Sequence, residues 1–532
     1  MDDLLDASIE LRYLKHPSEF KLIVVTNKDN HMSTTEEKTF LGQPEGLTTL
    51  FFTEMWERMS YYGMRALLVL FMTAALQEGG LELTVVSAVA IYGLYTGSVY
   101  FMGLPGGWIA DRLIGGQKAI WYGGIIIMIG HIILAIPHDS SFFIGLVFVV
   151  LGTGLLKPNI TTMVGQLYSP EDARRDSGYA IYYMGINVGS LIGYFVTGYL
   201  MTNVGWHWAF GAAAVGMAIG LIQYKMTTNK LNGVGNTPPA PLSVAAQKRS
   251  YIAIIVFLIA VVTIGSGLYN GAIAFNAVIV AQYTAIAFTL IFVVYYSLIY
   301  FKGSLSLNEK KRLRALLLIC IASACFWSGF EQAGSSLNLF ARDYTDRMIG
   351  SFEIPTTWFQ SANALFIIAL TPFFAALWIN LGKRVIPPSY GAKTAIGLII
   401  MASGFIVMFF AAQYAASGLK VAPYWLIGTY FLHTVGELLL SPVALSAVSK
   451  LAPRRFAGQL MGVFVLTYSI GNIIAGLLAG NFDPNQVDQI PALYIQISLF
   501  SIGIGIVIYL LSMKTGAWER LANDKETVSE TK

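Results

Sequence analysis

The stretch FFTEMWERMSYYGMRALLVLF, residues 51–71, is long and apolar enough to span a membrane, yet it contains Glu54, Glu57, Arg58 and Arg65. With Tyr61 and Tyr62, these residues fall at i, i+3, i+4, i+7, i+8 and i+11 from Glu54. At about 100° per residue they occupy one arc of roughly 140°. Phe52, Met55, Met59, Met64, Leu67 and Leu70 take the remainder. The pattern predicts a membrane helix whose polar stripe faces a protein interior or a water-filled cavity. A charge at the centre of such a helix costs about 2.5–3.5 kcal/mol on insertion scales, and acids three or four residues from bases offset part of that. A purely structural ion-pair network would satisfy the stripe. Polar features in other helices favour a functional face.

The rest of the chain has the composition of a polytopic helical membrane protein. Its 532 residues are 55% hydrophobic and only 12% charged, where a soluble domain carries about a quarter charged residues. Apolar runs of about 20 residues recur along the whole length. They predict fourteen spans, at about 47–77, 86–111, 119–137, 141–165, 178–201, 206–226, 251–270, 276–301, 314–341, 356–381, 391–414, 423–450, 457–480 and 491–513. A β-barrel would show short alternating segments instead. Cys320 and Cys325 form no CxxC, and the six histidines are scattered, so neither a disulfide framework nor a metal site is expected. A net charge of +4 without a long basic tract gives no reason to expect nucleic acid as a partner. No nucleophile–base pair points to an enzyme.

Arginine and lysine orient the chain. Alternate connections hold DRLIGGQK (111–118), EDARRD (171–176), KGSLSLNEKKRLR (302–314), PRR (453–455) and KTGAWER (514–520), while Arg342, Arg347 and Lys420 fall on the other side. Positive charge stays cytoplasmic, so both termini are expected inside. Residues 1–31 lack the order of a signal peptide. Met32 is a second plausible start, and these 31 residues are expected to be a dispensable part of an extension over 1–46.

The chain also repeats itself. GTGLLKPNITTMVGQLYSPEDARRDSGYA (152–180) echoes GELLLSPVALSAVSKLAPRRFAGQLMG (436–462), each followed by a glycine-rich helix, GINVGSLIG or SIGNIIAG. When Pro158 is set on Pro442, the second prolines, Pro170 and Pro453, fall one residue out of step. This predicts two parallel six-helix halves, 47–226 and 314–513, a major-facilitator plan. A linker over 227–313 carries two extra helices, with no charge between Tyr251 and Phe301, so these are expected to be lipid-facing accessories. Residues 514–532 form a cytoplasmic tail.

The ExxER of Glu54, Glu57 and Arg58, followed by YYGMR, resembles the first-helix signature of the proton-dependent oligopeptide transporters, bacterial symporters of di- and tripeptides with protons. GGWIADRLIGGQK (106–118), GTGLLKPN (152–159), FWSGFEQAGSSL (326–337), FQSANALFIIALTPFF (359–374) and GELLLSPVALSAVSKLAP (436–453) carry the resemblance through about 47–513. It implies a multi-pass protein of the bacterial inner membrane that needs no cofactor, with the proton as coupling ion. A monomer is expected to suffice for transport.

The resemblance also implies roles for residues. A peptide zwitterion needs a positive pole, which Arg58 and Lys157 can supply, and a negative pole, which Glu437 can supply. Tyr61, Tyr62, Tyr100, Asn187 and Asn363 would line the site, and Trp327 and Phe464 would shape side-chain pockets. Lys157 with Glu437 would close an inner gate, and Arg65 with Glu331 an outer one. If a peptide carboxylate takes Arg58, Glu54 and Glu57 lose their counter-charge and can take up a proton. Animal members carry a histidine at the position of Gly93, so no histidine switch is expected here. The alternative cargo is nitrate or another small anion, which has no use for Glu437.

Overall fold

A computed structural model describes residues 39–169, 171–172, 174–383 and 387–521. Residues 1–31 and Pro170 lie outside the described residues. Six long helices come first: α1 Gly46–Thr73, α2 Val85–Ile109, α3 Gly116–Leu134, α4 Asp139–Gln166, α5 Arg175–Asn203 and α6 Trp206–Thr227. α7 Val244–Tyr269 and α8 Ala277–Lys302 follow. The second set is α9 Leu307–Phe330, α10 Ser336–Asp343, α11 Ser361–Gly382, α12 Tyr390–Ala416, α13 Tyr424–Leu451, α14 Ala457–Ala479 and α15 Ile490–Arg520. Two antiparallel pairs of two-residue strands, Thr39–Phe40 with Gln43–Pro44 and Met348–Ile349 with Phe352–Glu353, make small turns outside the helices.

Among the described residues, thirteen helical segments are long and apolar enough to cross a membrane, with α9 and α10 counted as one. α1 is 28 residues long, but its four charges interrupt the apolar run. With it the number of spans is fourteen. α1 is nevertheless buried along almost its whole length, with Glu54, Glu57, Arg58 and Arg65 all inside. Its polar stripe therefore faces protein.

The two sets of helices form two bundles in a major-facilitator fold, and the repeat places equivalent helices in them. Pro158 lies inside α4 and Pro442 inside α13, with the glycine-rich α5 and α14 next in each half. Both glycine-rich helices are used for close approach. A Cβ on Gly189 of α5 would lie 2.2 Å from Met55 O of α1. One on Gly476 of α14 would lie 2.4 Å from Val89 O of α2, so the second contact joins the halves.

Of the two accessory helices expected to face lipid, α8 departs from the expectation. No residue of α7 is buried. α8 instead turns Ala281, Phe288, Phe292, Tyr296 and Ile299 onto the bundle; their spacing puts them on one helical face. Phe288 stacks on Phe101 of α2 at 4.5 Å, and the Tyr296 hydroxyl donates to Leu313 O of α9 at 2.5 Å. The aromatic residues on this face let α8 touch both halves.

The span expected over 314–341 is two helices. α9 ends in a tight turn at Glu331–Gly334, and α10 starts after it. The break places Glu331 at the seam between the halves.

Candidate functional site

The stripe of α1 organises two clusters. In the first, Arg58 is bidentate on Glu57, Nε to Oε2 and Nη2 to Oε1, the latter at 2.6 Å. Its Nε also lies 3.3 Å from Glu54 Oε1. Lys157 of α4 pairs with the same Glu54 oxygen. The Arg58 guanidinium sits over the Tyr61 ring at 4.7 Å and the Tyr62 ring at 5.7 Å. Two cations and two carboxylates thus neutralise one another in a buried site, where an unmatched charge would be costly.

The second cluster lies further along α1. Arg65 Nη1 donates to both Glu331 oxygens, at 3.1 and 3.0 Å, and the Tyr92 hydroxyl donates to Glu331 Oε2 at 3.1 Å. Three further bonds join the halves around it. Asn338 Nδ2 donates to Ala66 O at 2.9 Å, Arg342 Nη1 to Thr73 Oγ1 at 2.7 Å, and Trp358 Nε1 to Phe195 O at 3.2 Å. The expected Arg65–Glu331 pair is therefore formed, within a seam that closes the end of the molecule where α1 and α5 finish.

The expected Lys157–Glu437 pair is not formed in this structure. Glu437 Oε2 instead accepts from Asn363 Nδ2 at 3.0 Å, and Asn363 also reaches Thr434 Oγ1 at 3.0 Å. Lys157 is drawn to Glu54 because α4 and α1 belong to the same bundle, while Glu437 sits in the other. Lys157 and Glu437 therefore stand on opposite halves with no direct bond. Lys157, Asn363 and Glu437 are all only partly buried.

The aromatic residues gather around one that the sequence reading missed. Tyr468 of α14 lies 4.8 Å from Trp327, 5.5 Å from Tyr100 and 5.4 Å from Phe464. It stands four residues after Phe464, a helical spacing that could have revealed it. Phe464 itself is fully buried behind Tyr468. It packs and does not line open space. Asn187 is also buried, and its Nδ2 donates to Tyr183 O one turn earlier at 2.9 Å, so its amide is partly used within its own helix. Tyr92 and Tyr182 were missed too. Tyr182 lies under Lys157, with the ammonium 5.8 Å from its ring. Each is a tyrosine in an apolar run, which gives no periodic signal.

At Gly93 of α2 the two halves approach closely. A Cβ there would stand 3.0 Å from both Asn472 O and Gly476 Cα of α14. Among the described residues no group of three His, Cys, Asp or Glu side chains could hold a metal ion.

Comparison with known proteins places the chain in a family. Residues 117–494 match the family described as the POT family. The chain is 41% identical over 505 residues to the peptide transporter YePEPT of Yersinia enterocolitica, covering 90% of this chain and 96% of that one. It is 36% identical over 447 residues to the di-/tripeptide transporter of Lactococcus lactis subsp. cremoris, covering 82% and 89%. It resembles the crystal structure of a peptide transporter POT in complex with sulfate with a TM-score of 0.84 at 38% identity, covering 91% of this chain and 97% of that one. On the match over 117–494 and these relatives, the chain belongs to the POT family.

Proposed function

We propose that this protein is a symporter that carries di- and tripeptides into the cell together with protons, by alternating access between two halves, 47–226 and 314–513. The observation that carries the reading is the placement of the two poles. Arg58 and Lys157 stand in the first half, and Glu437, oriented by Asn363, in the second. A short peptide has a carboxylate and an ammonium and can bridge them, drawing the halves together as no single-charge cargo would.

In this state the outer end is closed by Arg65, Glu331 and Tyr92, and the inner poles are apart. Lys157 passing from Glu54 to Glu437 would close the inner end, and parting of Arg65 from Glu331 would open the outer one. A peptide carboxylate on Arg58 displaces Glu57, which then takes a proton because it is buried without its counter-charge. Tyr61, Tyr62, Tyr100, Trp327 and Tyr468 form the walls, and Asn187 and Asn363 supply polar contacts. Both termini lie in the cytoplasm by the distribution of basic loops. The small-anion alternative has no support in the relatives, which are named as peptide transporters.

The test uses purified protein in liposomes loaded with potassium, an inside-negative potential set by valinomycin and an inward proton gradient. Uptake of labelled dialanine should collapse with a protonophore. Unlabelled di- and tripeptides should compete, and alanine and nitrate should not. Competition by nitrate alone would refute the reading.

A further inference from the structure

The peptide site leaves unused a dense group of cations at the junction of α8 and α9. Lys302 ends α8, and Lys310, Lys311, Arg312 and Arg314 follow on the first turns of α9. The one acid between them, Glu309, is already occupied. It caps the helix through Ser306 N at 2.7 Å and accepts from Arg455 at 3.4 Å. Among the described residues, Lys302, Lys310 and Lys311 have no carboxylate within ion-pair distance.

This group is arranged around an aromatic side chain at the membrane edge. Arg314 Nε donates to the Tyr300 hydroxyl at 2.7 Å, and its guanidinium lies 5.7 Å from the ring centroid. Lys310 Nζ lies 5.9 Å from the same ring. Lys310 and Arg314 are one helical turn apart and so share a face. Beside Tyr300, Phe301 is 76% exposed and ends an apolar exposed stripe of α8 that includes Val294 and Leu298. The order along the membrane normal is therefore an apolar wall, an interfacial aromatic pair and a cationic cluster. An acidic phospholipid has the complementary order of acyl chain, glycerol and anionic phosphate, and such clusters beside a span attract anionic leaflets.

We propose that the end of α8 and the first turns of α9 form a binding site for the phosphate headgroup of an acidic phospholipid, with Lys310 and Arg314 as its principal cations. Its acyl chains lie along Val294 and Leu298. Because α8 packs against both α2 and α14, a lipid held there steadies the junction between the halves. The proposal is independent of which cargo the central site carries.

The test is native mass spectrometry of the full chain released from bilayers containing both phosphatidylglycerol and phosphatidylcholine. The wild type should retain phosphatidylglycerol in preference. The double variant Lys310→Gln/Arg314→Gln should lose about 30-fold in affinity for it, the two charges contributing about 2 kcal/mol together at about tenfold for each 1.4 kcal/mol. Lys420→Gln, at the opposite end of the bundle, should retain it as the wild type does. Dipeptide uptake in neutral bilayers serves as the check that the double variant is folded, and intact helicity by circular dichroism serves if uptake itself is absent. Equal retention of phosphatidylglycerol by the folded double variant overturns the proposal. Displacement of the lipid by inorganic phosphate overturns it too, since the site would then be one for free phosphate.

Discussion

Lys157 of α4 pairs with Glu54 of α1, and Glu437, the acid expected to face it, is held by Asn363 in the other half. Glu54 is fully buried and keeps Arg58 Nε at 3.3 Å as its second cation. Removing Lys157 therefore leaves a buried carboxylate short of counter-charge. Breaking a buried pair costs about 3–5 kcal/mol, and the remaining Arg58 contact puts this case at the low end. Lys157→Gln should abolish proton-driven peptide uptake. Adding Glu54→Gln should restore the amount of folded protein without restoring driven uptake. Thermal unfolding and uptake, measured on the same preparations, separate the two effects.

Arg65 and Glu331 form the centre of the seam proposed as the outer gate, and Tyr92 adds one neutral donor to the same carboxylate. Arg65→Glu and Glu331→Arg should each inactivate, and the exchanged pair should recover part of the uptake, because the attraction survives with its direction reversed. Tyr92→Phe removes one hydrogen bond, worth about 1 kcal/mol, and should shift the balance toward the outward-open state about fivefold. A cysteine at Leu70, buried in this state, reports the shift through its labelling by an impermeant maleimide. Unchanged labelling in Tyr92→Phe would mean the hydroxyl does not hold the gate.

Much of this was legible before the fold was known. The charged stripe of α1 showed in its spacing because a helix puts residues three and four apart on one side. The repeat showed because Pro158 and Pro442 sit at matching places in α4 and α13. What stayed hidden depends on contacts between distant segments. Nothing local says that Glu437 is bonded by Asn363, or that α8 carries an aromatic face that reaches α2, since aromatic and aliphatic residues occur on all sides of α8. Tyr92 was hidden for a related reason. A tyrosine in an apolar helix reads as packing until its hydroxyl is seen on Glu331. The break after α9 was missed because Glu331, Gly334 and Ser335 are each compatible with one continuous membrane helix.

The packing of α5 on α1 sets the position of the whole charged stripe. A Cβ on Gly189 would come within 2.2 Å of Met55 O, and the neighbouring backbone cannot retreat without moving Glu54 and Arg58. Gly189→Val should therefore lower folded yield and abolish uptake. By contrast, Gly503→Ala, where a Cβ meets nothing within 4 Å, should leave both unchanged. Size-exclusion profiles of the two variants, made in parallel, check this directly.

Asn363 holds Glu437 at 3.0 Å and so fixes where the carboxylate proposed as the negative pole stands. Asn363→Ala removes that bond and should raise the KM for dialanine about tenfold, the low end of the effect of one hydrogen bond to a charged group. The maximal rate should change less, because the gates are intact. Glu437→Gln should weaken binding of unmodified peptides more than that of N-acetylated ones, which carry no ammonium. Equal losses for both peptide types would remove Glu437 from the ammonium pole.

Glu57 has both its oxygens taken by Arg58, the cation proposed to receive the cargo carboxylate. If the cargo carboxylate replaces it there, proton uptake and peptide binding become one event. Glu57→Gln keeps the shape and removes the charge. It should lose proton-driven accumulation while retaining exchange of labelled for unlabelled dialanine, which needs the gates but no net proton movement. Its exchange rate should also vary less with pH than that of the wild type, because the group that titrates with cargo is gone. Driven accumulation at the wild-type level in Glu57→Gln would place the coupling proton elsewhere, and Glu54, held between Lys157 and Arg58, would be the next carboxylate to replace.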